Sequence, residues 1–282
     1  HRSNPLGIAR REFRRCRGGI ALTRRRLDTE LVRRKLVESR AEAQRAIEAG
    51  LVRVGANPEP KASTLVAPSD PVHLTRSPEP FVSRAGRKLD AALDVFGLDV
   101  RGVRAIDLGA STGGFTDCLL QRGASAVVAV DVGYGQMHWR VRTDERVEVI
   151  ERTNIRTADP SLYGPPFDLV VGDLSFISLA SLARQIERLG AADARWVLLI
   201  KPQFEAGRDG VGKGGIVRDT RIRAQAITDV VAAFEEVGLG CQGLAVSSVT
   251  GATGNVEFVA LFTRDMTSLE TGTISRVSEE HP

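Results

Sequence analysis

The stretch "DLGASTGGFTD", residues 107–117, follows the run 103–106 and leads into Phe115, Leu119 and Leu120. An apolar run, a cluster of small residues and a second apolar stretch read as strand, tight turn and helix N-terminus, where a ligand can meet backbone N–H groups. Working outward, the same alternation predicts strands at 103–107, 126–131, 147–150, 168–172, 195–200, 240–247 and 256–263. It predicts helices at 114–122, 178–189 and 220–237, a weaker one at 137–142, and one over "RAGRKLDAALDVFG" (84–97) with Leu89, Ala92, Leu93 and Phe96 inward. Near-continuous apolar strands such as "FDLVVGD" and "RWVLLIK" belong in a parallel sheet covered on both faces. The expected fold is therefore α/β, with a mostly parallel seven-stranded sheet whose last two segments pair antiparallel at one edge.

Charge divides the chain in two. Lys and Arg outnumber Asp and Glu by 14 to 6 in residues 1–50, whereas the remainder holds 25 bases and 29 acids. A basic module on a mildly acidic body predicts that the module meets a polyanion while the body does other work. Cys16, Cys118 and Cys241 lie far apart and the four histidines are scattered, so neither a disulfide framework nor a metal site is expected. No apolar stretch reaches the roughly 20 residues that span a bilayer. A reducing cytoplasm is the expected setting, with no membrane partner.

Within the basic module, Leu27, Leu31, Val32 and Leu36 follow helical spacing. Ser39 and Glu42 form a capping box for a second helix that ends at Gly50. Short apolar pieces at 51–54, 65–66 and 72–74 predict a small curled sheet. Arg33, Arg34, Arg40 and Arg45 fall outside the apolar stripe and, as a group, are candidates for phosphate contact. The expected boundaries are 1–21, a disordered arm or over-extended translation start; 22–74, the basic module; 75–83, a Pro-containing linker; 84–264, the α/β body; and 265–282, a disordered tail.

In an open parallel sheet the ligand crevice lies beyond the carboxyl ends of the strands. The loop Gly109, Ser111, Thr112, Gly113, Gly114 and Phe115 belongs there, framed by Asp107 and by Asp131 at the end of the second strand. The order G-x-S-T-G-G differs from the G-x-G-x-x-G of dinucleotide sites, and no phosphate cradle is evident. A carboxylate at Asp131 suits the two hydroxyls of a ribose, so S-adenosylmethionine fits better than NAD. Two further strand ends bring Asp173 and Lys201 to the same crevice. A lysine ending so apolar a strand needs an acidic partner, or serves as a base.

The ordered motifs "VSRAGRKL", "DLGASTGGFTDCLL", "DVGYGQ", "ERTN", "DLSFISL", "KPQFE" and "GNVEF" resemble the hemolysin-A type (TlyA) family of ribosomal RNA methyltransferases over roughly residues 22–263. The resemblance implies an S4-like RNA-binding domain at 22–74 and an FtsJ-like, Rossmann-like S-adenosylmethionine-dependent methyltransferase fold at 84–264. It implies 2′-O-methylation of cytidine ribose in 16S and/or 23S rRNA, with ribosomal RNA or subunits as partner. It also implies a Lys-Asp-Lys-Glu tetrad, which falls here on Lys88, Asp173, Lys201 and Glu257. Lys201 is the expected base, Asp173 its anchor, and Lys88 and Glu257 steer the ribose, with Glu257 paired to a lysine. The family's aromatic Arg-x-Trp-Val linker is replaced by "EPFV". Trp139 and Trp196 are expected in the core, Phe176 either in the core or stacked on the cytosine, and the 206–215 stretch is either a plain loop or an RNA-contacting lid. Two other readings stand beside the enzyme: an rRNA-binding or ribosome-assembly protein with little methyl transfer, and a membrane-lytic protein.

Overall fold

The computed structural model describes residues 24–281 apart from 38, 49, 75–79, 208–209 and 268, and gives no side chain for Arg45. The expectation for 1–21 lies outside the described residues. The chain divides into two units, 1–78 and 79–282.

In the first unit, β1 (Arg25–Arg26), α1 (Leu27–Arg33), α2 (Arg40–Glu48), β2 (Val52–Val54), β3 (Leu65–Val66) and β4 (Val72–Leu74) enclose a small core of Leu27, Leu31, Val37, Ala43, Val52 and Val66. The strands pair antiparallel as β1 with β3 and β2 with β4. The forward half of the capping box is present, with Glu42 N–H donating to Ser39 Oγ at 3.2 Å. α2 closes where Gly50, at φ +69°, lets Leu51 N–H reach back to the Ala46 carbonyl. Two acids on α1 are buried, Asp28 and Glu30. Arg26 and Arg40 neutralise the first; Arg33 and Arg34 neutralise the second.

The second unit is a seven-stranded sheet built from β5 (Arg104–Leu108), β6 (Ala126–Val130), β7 (Val147–Ile150), β8 (Phe167–Gly172), β9 (Gly190–Ile200), β10 (Gly240–Val246) and β11 (Phe258–Thr263). Their order is β10-β11-β9-β8-β5-β6-β7, parallel except that β11 runs antiparallel to both β9 and β10. The last strand is thus inserted between two that precede it in the chain. Alternate residues fill two cores. Trp196, Leu198, Ile200, Phe258 and Phe262 face α6 (Ala183–Glu187) and α8 (Thr220–Glu235). Val197, Leu199, Val259 and Leu261 face α3 (Ala85–Val95) and α4 (Gly114–Gln121). This double coverage is the reason the strands read as continuous apolar runs.

Five expectations change. The 178–189 helix is a single 3₁₀ turn, Ala180–Leu182, followed by α6, and β9 begins at Gly190 rather than 195. The tail is ordered as α9 (Thr273–Glu279), with Val277 buried against the α8 side of the sheet. Within the expected linker, Phe81 is buried in the α3–α4 core and Val82 N–H donates to Asp117 Oδ2 at 2.8 Å, so the second unit begins before residue 84. Trp196 is fully buried, but Trp139, at the start of the four-residue α5 (Trp139–Arg142), is 60% exposed. One short turn gives a large ring no second layer to pack under.

Candidate active site

A cavity of about 530 Å³ opens at the carboxyl ends of β5, β8 and β9. One wall is the glycine-rich loop, contributing Gly109, Ala110, Ser111, Thr112 and Phe115. Asp131 is not on that wall. It shapes the loop from behind, Oδ2 accepting from Ser111 N–H at 2.8 Å and Oδ1 from Gly133 N–H at 2.6 Å. Gly113 and Gly114 do not line the cavity either, which alters the part expected of them. Gly113 sits at φ +89°, and a Cβ on Gly114 would collide with Ser83 Oγ and come within 2.9 Å of Gly86 N. The smallness of Gly114 lets α4 lie against the start of α3, while Gly113 is required by its positive φ and packs against Val141 and Met137.

Asp107 is fully buried at the end of β5 and lines the cavity floor. Thr116 donates to its Oδ2 from both N–H (3.0 Å) and Oγ1 (2.7 Å), while Oδ1 has no protein partner. Burial pushes this carboxyl up to about 7; the Thr116 bonds oppose the rise, and the charges of Asp173 and Asp131 add to it. Ser83 Oγ, also on the cavity wall, is a second buried polar atom without a protein partner. One acceptor and one hydroxyl left open in the same cavity fit a ligand carrying both an ammonium and a carboxylate.

The same cavity is lined by the four residues that motif order brought together. Lys88, on the second turn of α3, places Nζ 2.6 Å from Glu257 Oε2 and 3.6 Å from Asp173 Oδ2. Lys201, one residue past β9, places Nζ 2.6 Å from Asp173 Oδ1 and donates to Ser175 Oγ at 2.7 Å. Glu257 stands immediately before β11, on the Val259 and Leu261 side, and is 3% exposed. Two cations and two anions in one chain of contacts leave no net buried charge, the condition under which such burial is tolerated.

Sequence reading missed several neighbours of these motifs. Gln203 Nε2 donates to Glu257 Oε1 at 3.3 Å. Glu205, at the end of α7 (Pro202–Glu205), accepts from Ser178 Oγ and Leu179 N–H, each at 2.7 Å, and burial pushes its carboxyl up. Both lie inside the motif "KPQFE", whose lysine alone was read as functional. Phe176 is 92% exposed, at φ +63°, with its ring 5.3 Å from that of Phe204, so the core alternative for it is excluded. Val211 and Gly215 of the glycine-rich 206–215 stretch border the same cavity.

Residues 81–264 match the FtsJ-like methyltransferase family, and residues 25–72 match the S4 domain. The 16S/23S rRNA (cytidine-2′-O)-methyltransferase TlyA of Mycobacterium tuberculosis (strain CDC 1551 / Oshkosh) is 47% identical over 83% of this chain and 88% of its own. The chain belongs to the TlyA-type family of S4-bearing, FtsJ-like methyltransferases. Hemolysin A of Brachyspira hyodysenteriae, a further TlyA-type relative, is 37% identical over 84% of this chain and 99% of its own. A solved structure from Streptococcus thermophilus that carries the hemolysin name superimposes with a TM-score of 0.71 at 37% identity, covering 92% of this chain and 95% of that one. Among the described residues no helix is long and apolar enough to cross a membrane, and no cluster of His, Cys, Asp and Glu is suited to a metal ion. The TlyA-type assignment agrees with the seven-stranded sheet and its single antiparallel insertion, and with the tetrad lining one cavity.

Proposed function

We propose that this protein methylates the 2′-oxygen of cytidine ribose in ribosomal RNA, using S-adenosylmethionine, with Lys201 as the general base. The observation that carries the reading is the contact chain Glu257–Lys88–Asp173–Lys201 lining the same cavity as the glycine-rich loop. When bound, S-adenosylmethionine supplies a methyl group on a cationic sulfur. The loop backbone from Gly109 to Thr112 would hold its nucleoside, and Ser83 Oγ and Asp107 Oδ1 its amino-acid end. A ribose hydroxyl is a weak nucleophile and must shed its proton as it attacks. As an uncharged amine, Lys201 Nζ takes that proton and becomes the ammonium that pairs with Asp173; Asp173 and Ser175 fix its direction, and the Lys88–Glu257 pair orients the ribose. Phe176, exposed at the mouth, offers its face to the cytosine.

The test is transfer of labelled methyl to unmodified 30S and 50S subunits, with 2′-O-methyl-sensitive primer extension to map the product. Ribose methylation on either subunit supports the reading and names the substrate. Binding without transfer, under conditions where a control methyltransferase works, sinks it in favour of an rRNA-binding protein.

Cofactor affinity is expected to depend on pH. An ammonium facing Asp107 Oδ1 favours the carboxylate, whereas below about 7 the free protein holds a proton there. Binding therefore releases a proton, and S-adenosylmethionine binds about tenfold more weakly for each pH unit below that value. Calorimetry from pH 5.5 to 8 should show this slope in the wild type and a flat profile in Asp107→Asn.

The arginine group on the first unit separates into two kinds. Arg34 bonds Glu30 and the carbonyls of Ala67, Pro68 and Asp70, which ties α1 to the 67–70 turn. Arg33 and Arg40 pair with one carboxylate each and stay about half exposed, leaving guanidinium N–H groups for phosphate. The Arg45 side chain lies outside the described residues. Arg40→Gln is expected to reduce the slope of log affinity against log salt by about 0.7–0.9 for one lost phosphate contact, with only a small loss of melting temperature because Arg26 still holds Asp28. Arg34→Gln should instead destabilise the unit. Filter binding of rRNA fragments between 50 and about 200 mM salt reads the first, and thermal denaturation the second.

A further inference from the structure

Each residue of the short α7 segment except its proline reaches a different part of the site. Lys201 holds Asp173 and Ser175, Gln203 holds Glu257, Phe204 packs on Phe176, and Glu205 holds Ser178 and Leu179. The first three ties touch the cavity, whereas Glu205 lies off its lining. What Glu205 grips is the turn after β8, residues 174–179, which belongs to no strand or helix. That turn carries Ser175, the second partner of Lys201, and Phe176 in the left-handed region. A bulky ring held at positive φ and almost wholly in solvent does not stay there by its own preference; the surroundings must over-determine the backbone. Glu205 provides that constraint. Its two oxygens each accept one hydrogen bond from consecutive residues at the far end of the turn, and the adjacent Phe204 ring supports Phe176 from below.

We infer that Glu205 is a positioning residue that fixes the 174–179 turn and so sets the nucleobase-facing wall of the site, acting on RNA rather than on the methyl donor. The inference rests on the reading that an RNA nucleotide enters this cavity. Two variants test it in the full-length protein: Glu205→Ala, and Glu205→Gln, which keeps one oxygen for the Leu179 N–H. Hydrogen exchange of the ligand-free protein should rise over 174–180 in Glu205→Ala and return part of the way in Glu205→Gln. In the transfer assay, KM for the ribosomal subunit should rise about tenfold in Glu205→Ala, with the S-adenosylmethionine Kd within about twofold of wild type. The double variant F176A/E205A should be no worse than F176A, because both act through the same ring. Unchanged exchange over 174–180 overturns the inference. So does a parallel loss of cofactor affinity and melting temperature, which a merely structural role produces, and so does full additivity with Phe176→Ala. If the wild type transfers no methyl, the functional reading fails by itself, and the exchange measurement still decides whether Glu205 sets the turn.

Discussion

Lys201→Ala is expected to lower methyl transfer to ribosomal subunits by about 10²–10⁴-fold, the range over which a positioned general base contributes. The folded structure should survive, because Asp173 keeps Lys88 at 3.6 Å as a counter-ion and Ser175 remains able to bond water. S-adenosylmethionine binding, measured by calorimetry, should stay within a few-fold of wild type or tighten, since the substitution removes a positive charge from a cavity proposed to receive a cation. Lys201→Arg is the sharper control. Its guanidinium keeps the charge opposite Asp173 but cannot give up its proton, so it should restore the ion pair and not the rate. Substantial transfer by either variant would remove Lys201 from the role of base and leave it an electrostatic one.

The second large effect concerns stability. Lys88→Met would leave Glu257, 3% exposed, with only the Gln203 amide at 3.3 Å. Removing one partner of a buried pair costs about 3–5 kcal/mol, because the other charge stays uncompensated. For a unit of this size that is a melting shift of about 10 °C. The double variant Lys88→Met, Glu257→Gln removes both charges and should recover most of the loss. Both tryptophans, Trp139 and Trp196, lie in the second unit, so intrinsic fluorescence reports its unfolding without interference from the first. If the single and double variants melt together, the Lys88–Glu257 contact is not the compensating interaction described here.

The sheet was legible because burial on both faces writes itself as unbroken apolar runs. The β9 run "RWVLLI" and the β11 run "FVALF" could not belong to a half-exposed strand, and the alternation around Glu257 placed its side chain correctly. Asp173 and Lys201 were legible because each ends an apolar strand where a lone charge would be costly, whereas Lys88 and Glu257 joined them through the family resemblance. What sequence could not show is which small or polar residues serve the ligand and which serve packing. Gly114 is kept small by Ser83 and Gly86, Gly113 is set by its φ of +89°, and Asp131 accepts from the loop's Ser111 N–H, contacts that the residue types alone do not announce. Arg34 looks the same as Arg33 in sequence, yet only Arg34 is spent on three carbonyls. α9 was missed because Ile274 and Val277 are its only two large apolar residues, too few for a periodic signal, although Val277 packs against a core already complete.

The insertion of β11 between β9 and β10 has a consequence for biosynthesis. Lys88 enters the world early, in the first helix of its unit, but its carboxylate partner lies 169 residues downstream on the threshold of the final strand. That strand can be seated only after the two it separates have been made, so pairings of long sequence separation close the sheet last. During synthesis the S4 unit emerges first and can meet RNA, while the second unit still lacks one member of its charged quartet. If the charged quartet does the chemistry proposed for it, a nascent chain gains that chemistry only when its last strand is home, and a ribosome-bound fragment truncated before Glu257 would be a binder without a reaction.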